Sequence, residues 1–82
     1  MRYNSLHKYA TGMEVNVTRL KELRRLRAMS QQELADAAGV GRNTISRIER
    51  EETGAHGRTL RRVAEVLAVD VAELVRKESD DA

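Results

Sequence analysis

Arg42, Asn43, Ser46 and Arg47 follow one another at i, i+1, i+4 and i+5 in the stretch RNTISRIER. On a helix that spacing gathers the four on one side, offset from Ile45 and Ile48. Their side chains suit one kind of chemistry. A guanidinium can make two parallel hydrogen bonds to guanine, and a carboxamide can do the same to adenine, at the edges that a base pair shows in the major groove. A helix that gives its apolar side to a core and offers such groups outward can be read against a duplex. For each of the four, the competing role is a phosphate contact or plain exposure to solvent. Thr44 and Arg50, beside that set, suit contacts to the DNA backbone better than contacts to bases.

Other chemistries find little support. The chain lacks cysteine, so neither a disulfide nor a thiolate-metal site is available, and His7 and His56 stand far apart. There is no paired-carboxylate setting, no nucleophile with a base at a known spacing and no glycine-rich phosphate loop, so an enzyme is a poor reading. No cofactor and no metal are expected. Tyr3 and Tyr9 are the only aromatic residues, which weighs against modules that stack single-stranded bases on rings. No apolar run reaches membrane-spanning length and no hydrophobic signal core opens the sequence, so a cytoplasmic protein is the default.

The 82 residues carry a formal net charge of +2, unevenly placed. Residues 1–17 sum to +1, residues 18–50 to +4 and residues 51–82 to −3. The basic portion coincides with the candidate reading helix, which suits a polyanionic partner, although a solvated surface of mixed charge explains the imbalance equally well.

The flanking pattern supplies the elements that would hold this helix. Thr18 is a candidate cap for a helix to about Ala28, with Leu20 and Leu23 inward. Leu26 continues their three-residue step and is either an ordinary exposed leucine or a contact to the N-terminal arm or a second subunit. Ser30 and Glu33 have the spacing of a capping box, which starts a second helix to about Ala38 that buries Leu34, Ala35 and Ala38. Gly39 can take the left-handed conformation that ends it. Val40 plugs the following turn, and a third helix runs from about Arg42 to Glu51. After the loop ETGAHG, whose His56 is a candidate cap, residues 58–67 predict a fourth helix with Leu60, Val63, Ala64 and Leu67 inward. Asp70 and Glu73 suggest a second capping box for a short fifth helix to about Lys77. Five helices and no strand alternation between 18 and 77 predict an all-α bundle, with an irregular arm at 1–16, a helix-turn-helix domain at 17–77 and an acidic tail at 78–82.

The segments LKELRRLRAMSQQELADAAGV, TISRIER and TLRRVAEVLAVDVAELV, in this order and spacing, resemble the Cro/repressor-type helix-turn-helix domain, also called the xenobiotic-response-element family. The resemblance covers residues 17–76. It implies a five-helix, lambda-repressor-like fold that binds duplex DNA sequence-specifically, usually as a dimer on a palindromic operator. It also implies an ion pair between Arg24 and Glu49 that ties the first helix to the third. Several positions depart from the family pattern. Gly41 stands where Ser or Thr normally caps the reading helix, Ala28 and Ala68 replace turn glycines, and Gly57 replaces an apolar anchor. Glu51 and Glu52 stand where a glycine and often a basic residue end the third helix, a change that can lengthen the helix and places negative charge near the expected DNA backbone.

Gln31, at the first position of the second helix, is a candidate phosphate ligand together with the free backbone amides there. Gln32 lies either beside the reading helix or in solvent. Arg58 and Arg61 either clamp a neighbouring phosphate or form a solvated helix face. The expected function is a transcriptional regulator, more readily a repressor than an activator because occluding a promoter needs no further surface, that acts as a homodimer on a palindrome. Val71 and Val75 or the arm are candidate dimer surfaces. The alternative is a protein-interaction module, an antitoxin or an antagonist of another regulator, whose arm or acidic tail binds a protein partner.

Overall fold

A computed structural model describes residues 13–76. The expectations placed on the first twelve residues and on the acidic tail lie outside them. Four α-helices follow in order: α1 (Val17–Leu26), α2 (Gln31–Ala38), α3 (Arg42–Glu49) and α4 (Gly57–Leu67). They close on one core in which Leu20, Leu34, Ile45, Ile48, Leu60, Val63, Leu67 and Leu74 are almost fully buried. Every helix contributes at least one of these residues. Truncating one of the buried leucines to alanine typically costs about 2–5 kcal/mol, so the core fixes how the helices lie on one another.

The helix ends show why the chain turns where it does. Ser30 and Glu33 form both bonds of the capping box: Ser30 Oγ accepts from the Glu33 amide at 3.0 Å, and Glu33 Oε1 accepts from the Ser30 amide at 2.8 Å. Gly39 ends α2 in the left-handed conformation at φ 75°. Ala28, Glu51 and Ala68 also take positive φ, of 55°, 61° and 59°. These are turns that glycine would make without steric cost.

Three expectations about helix ends are corrected. Asn16, not Thr18, caps α1, its side chain accepting from the Arg19 amide at 3.1 Å. The backbone of Asn16 is itself anchored, its amide donating to the Leu74 carbonyl at 2.8 Å, and this places it one turn ahead of Leu20. The fifth α-helix is a single 3-10 turn, Val71–Leu74, so the bundle has four α-helices among the described residues. Asp70 makes no side-chain cap bond there. Glu73 is drawn instead to Arg19, whose Nε and Nη2 donate to its Oε1 at 3.1 and 2.9 Å. With the acid committed across the fold, no capping box forms to propagate a helix.

The segment before α1 is joined to the domain. Met13 and Ala55 exchange backbone bonds of 2.7 and 2.9 Å, and Val15 forms an antiparallel bridge with Val75. Val15 is buried in the core cluster. Leu26, by contrast, is 73% exposed.

Candidate nucleic-acid interface

α3 is an eight-residue helix with two unlike sides. Ile45, Ile48 and Glu49 point inward and are buried. Arg42, Asn43, Thr44 and Arg47 are exposed and Ser46 is half-buried. Arg42, Asn43, Thr44 and Ser46 form no side-chain hydrogen bond or ion pair with another described residue. The outer side of the helix therefore offers donors and acceptors that nothing within the described fold satisfies.

The start of α3 is positive on two counts. Gly41 caps it in an extended conformation without a side-chain bond, and its first turn contains no acid. The first-turn amides carry the positive end of the helix dipole, which favours an anion and disfavours the cation of Arg42. A first turn arranged against the usual helix preference is the kind of local inconsistency found where an external partner completes the site.

The orientation of α3 is fixed from beneath by a buried polar cluster. Arg24 on α1 grips Glu49 with two bonds, Nε to Oε2 at 2.7 Å and Nη2 to Oε1 at 3.0 Å. Its remaining nitrogen, Nη1, donates to the Met29 carbonyl at 2.8 Å in the turn before α2. Gln31 on α2 completes the set, Nε2 donating to Glu49 Oε1 at 3.0 Å. Arg24 is 9% and Glu49 3% exposed. Burial by itself pushes the Glu49 carboxyl up, but the hydrogen bonds from Arg24 and Gln31 and the charges of Arg24 and Lys21 outweigh it, and the group lies below its ordinary value. One carboxylate thus pins three helices, and a polar knot of this sort holds because all of its members are partnered.

The remaining candidates are placed differently. Gln31 has one amide hydrogen committed to Glu49. Gln32 bonds along its own helix to Asp36 at 2.8 Å. The Glu33 carboxylate occupies the Ser30 amide at the start of α2, which makes that helix end less receptive to a phosphate than the sequence suggested. Arg58 and Arg61 are exposed and, with His56, Gly57 and Thr59, line an open cleft of roughly 430 Å³ at the start of α4. Arg50 is held by Glu52.

The helix-turn-helix family model HTH_3 matches residues 20–74. The chain belongs to the Cro/C1-type helix-turn-helix family. Among solved structures of this family, the N-terminal DNA-binding domain of SinR from Bacillus subtilis is 33% identical, covering 76% of this chain and 91% of that one, with a TM-score of 0.71. The restriction-modification controller protein C.AhdI from Aeromonas hydrophila is 28% identical over 70% of this chain and 86% of its own, with a TM-score of 0.66. SinR in complex with DNA is 36% identical over 70% and 95%, also at 0.66, and SinR in a complex with SinI is 33% identical over 80% and 65%, at 0.70. No curated protein matches the chain.

In helix-turn-helix terms, α2, the Gly39–Gly41 turn and α3 are the motif, and α1 and α4 are its supports. Two contacts are not signalled by the sequence. Arg27 reaches across the fold, Nη2 donating to the Leu67 carbonyl at 2.7 Å, and so satisfies the C-terminal end of α4. Glu52 engages the arginines at the end of α3, and the only hint of this in the sequence is an acid next to them. Among the described residues no helix is long and apolar enough to cross a membrane, and no group of three His, Cys, Asp or Glu side chains lies together as a metal site.

Proposed function

We propose that this chain is a sequence-specific regulator of transcription that binds double-stranded DNA in the cytoplasm, a repressor acting as a homodimer on a palindromic operator. The observation that carries the reading is the unsatisfied outer side of α3, held at a fixed angle by the buried Arg24–Glu49–Gln31 cluster. Asn43 and Arg47, with Arg42 and Ser46, read base edges, and Thr44 and Arg50 contact the backbone. Gln31 keeps a second amide hydrogen for a phosphate, Gln32 lies at the edge of the contact, and Arg58 and Arg61 clamp an adjacent phosphate at the start of α4. One domain of this size makes few contacts, and two-fold pairing supplies the rest. The similarity to SinR, solved in complex with DNA, supports the same reading.

Selection of bound fragments from random duplex DNA, followed by sequencing, tests it. A two-fold symmetric consensus is expected, with affinity that falls steeply as salt rises because bound phosphates release counterions. Absence of any consensus together with a flat salt response would favour the second reading, a module whose main partner is a protein. The SinR–SinI complex gives that reading its support.

A further inference from the structure

We propose that Glu52 is a specificity-determining residue, an internal stand-in for a DNA phosphate that occupies the arginines at the end of α3 until a correct base sequence displaces it. The inference rests on the DNA-binding reading of α3.

The geometry is that of a weak clamp. Arg50 Nε stands 3.0 Å from Glu52 Oε2, and its Nη2 donates to Glu52 Oε1 at 3.2 Å. Arg47 Nε lies 3.8 Å from the same Oε1. The Arg47, Arg50 and Glu52 side chains are 59%, 60% and 48% exposed. Ion pairs this open to water are held loosely, so the clamp can release.

The backbone places the carboxylate there deliberately. α3 ends at Glu49 with Arg50 as its C-cap, short of the Glu51 that the sequence suggested, and Glu51 turns the chain in the left-handed conformation, φ 61°, although it has a side chain. The Glu52 amide then donates back to the Arg47 carbonyl at 2.9 Å. The turn folds Glu52 over the last turn of α3, beside the two guanidinium groups.

A carboxylate in that position acts on all DNA, but not equally. Non-specific binding is almost entirely attraction between cations and phosphates. Any duplex must displace Glu52 from Arg50 and bring phosphates near a negative charge. A duplex with the right bases offers Arg47 a pair of base-edge acceptors in return. A duplex with the wrong bases keeps Arg47 on phosphate beside the carboxylate, whereas base-edge bonds draw Arg47 away from it, so Glu52 penalises the wrong duplex more than the right one. Specificity obtained by penalising the wrong partner is a general device, and here it needs one side chain.

The test compares Glu52→Gln with Glu22→Gln, which removes one negative charge at another exposed ion pair, between Arg19 and Glu22. Each 82-residue chain is titrated with two duplexes of equal length, one carrying the consensus enriched from random DNA and one with that sequence scrambled, at several salt concentrations. Glu52→Gln should bind the scrambled duplex about 3–10-fold more tightly and the consensus duplex by a smaller factor, so the ratio of the two affinities falls. The slope of log affinity against log salt should steepen, by up to about 0.9 for each phosphate newly contacted. Unchanged melting temperature checks that the exposed substitution leaves the fold intact. Equal gains from Glu52→Gln and Glu22→Gln would reduce the effect to net charge and overturn the proposal, as would equal gains on the two duplexes. A parent protein that binds neither duplex overturns the DNA-binding reading itself, a result distinct from the other two.

Discussion

Arg24 with Glu49 and Arg50 with Glu52 are both arginine–glutamate pairs, and both involve α3, yet they do opposite things. The first is buried, two-pronged and completed by Gln31, and its two charged groups are almost entirely enclosed. The second is exposed, and its arginine can leave. The comparison shows that residue type does not decide whether a charge is structural. Water does: once a pair is dry, breaking it strands a charge in a low-dielectric interior, and the pair becomes a fixed part of the architecture. A wet pair has solvent as a ready substitute and can trade partners. α3 uses the dry pair to hold its angle and keeps wet cations on its outer side.

The largest effect is expected from Glu49→Ala. It leaves Arg24 buried without its carboxylate and should cost about 3–5 kcal/mol of stability, read as a lower midpoint in urea unfolding. Removal of the exposed Glu52 carboxylate should change the stability by less than about 1 kcal/mol. Acid separates the two pairs as well. The Glu49 carboxyl lies below its ordinary value in the folded state, so it contributes stability that is fully present above the unfolded value. That contribution is lost as pH falls through the lowered folded value. Unfolding followed from pH 7 down to pH 3 should show a loss on the acid side of the glutamate range, about pH 4.3, that the Glu49→Gln variant no longer shows.

Next in size is Arg47→Ala, which should cost about 1–3 kcal/mol at one position of the preferred DNA sequence and relax the preference there. A uniform loss on every sequence would instead make Arg47 a phosphate ligand. The smallest effect concerns the turn that carries Glu52. A left-handed residue with a side chain costs about 1–2 kcal/mol, and the extra freedom of an unfolded glycine takes back about 0.5–1 kcal/mol. Glu51→Gly should therefore raise the stability by up to about 1 kcal/mol, visible as a melting temperature a few degrees higher.

The helices were legible in the sequence because their signals are local. The Leu20–Leu23 step, the Ser30–Glu33 box, Gly39 and the Ile45–Ile48 pair each specify structure within a turn or two, and each appears in the fold. The sidedness of α3 could be read for the same reason. What escaped depends on partners distant in the chain. Met13 finds Ala55 and Val15 finds Val75, and no alternation of apolar residues announces a pairing so short. Asn16 and Thr18 are both good caps, and a bond from Asn16 to Leu74 decides between them. Glu73 has the right spacing for a cap but meets Arg19 from the opposite end of the domain. Glu52 is two residues from Arg50, yet its reach over Arg47 follows from the left-handed turn at Glu51, which charge patterning does not reveal.

The bridge between Val15 and Val75 has a practical corollary. Residues 14 and 76 meet side by side, the Arg76 amide donating to the Glu14 carbonyl at 3.1 Å, so a short peptide linker between them would close residues 14–76 into a ring. Cyclisation would then restrict the unfolded chain far more than the folded one, and the circular form should survive heating that melts the linear protein.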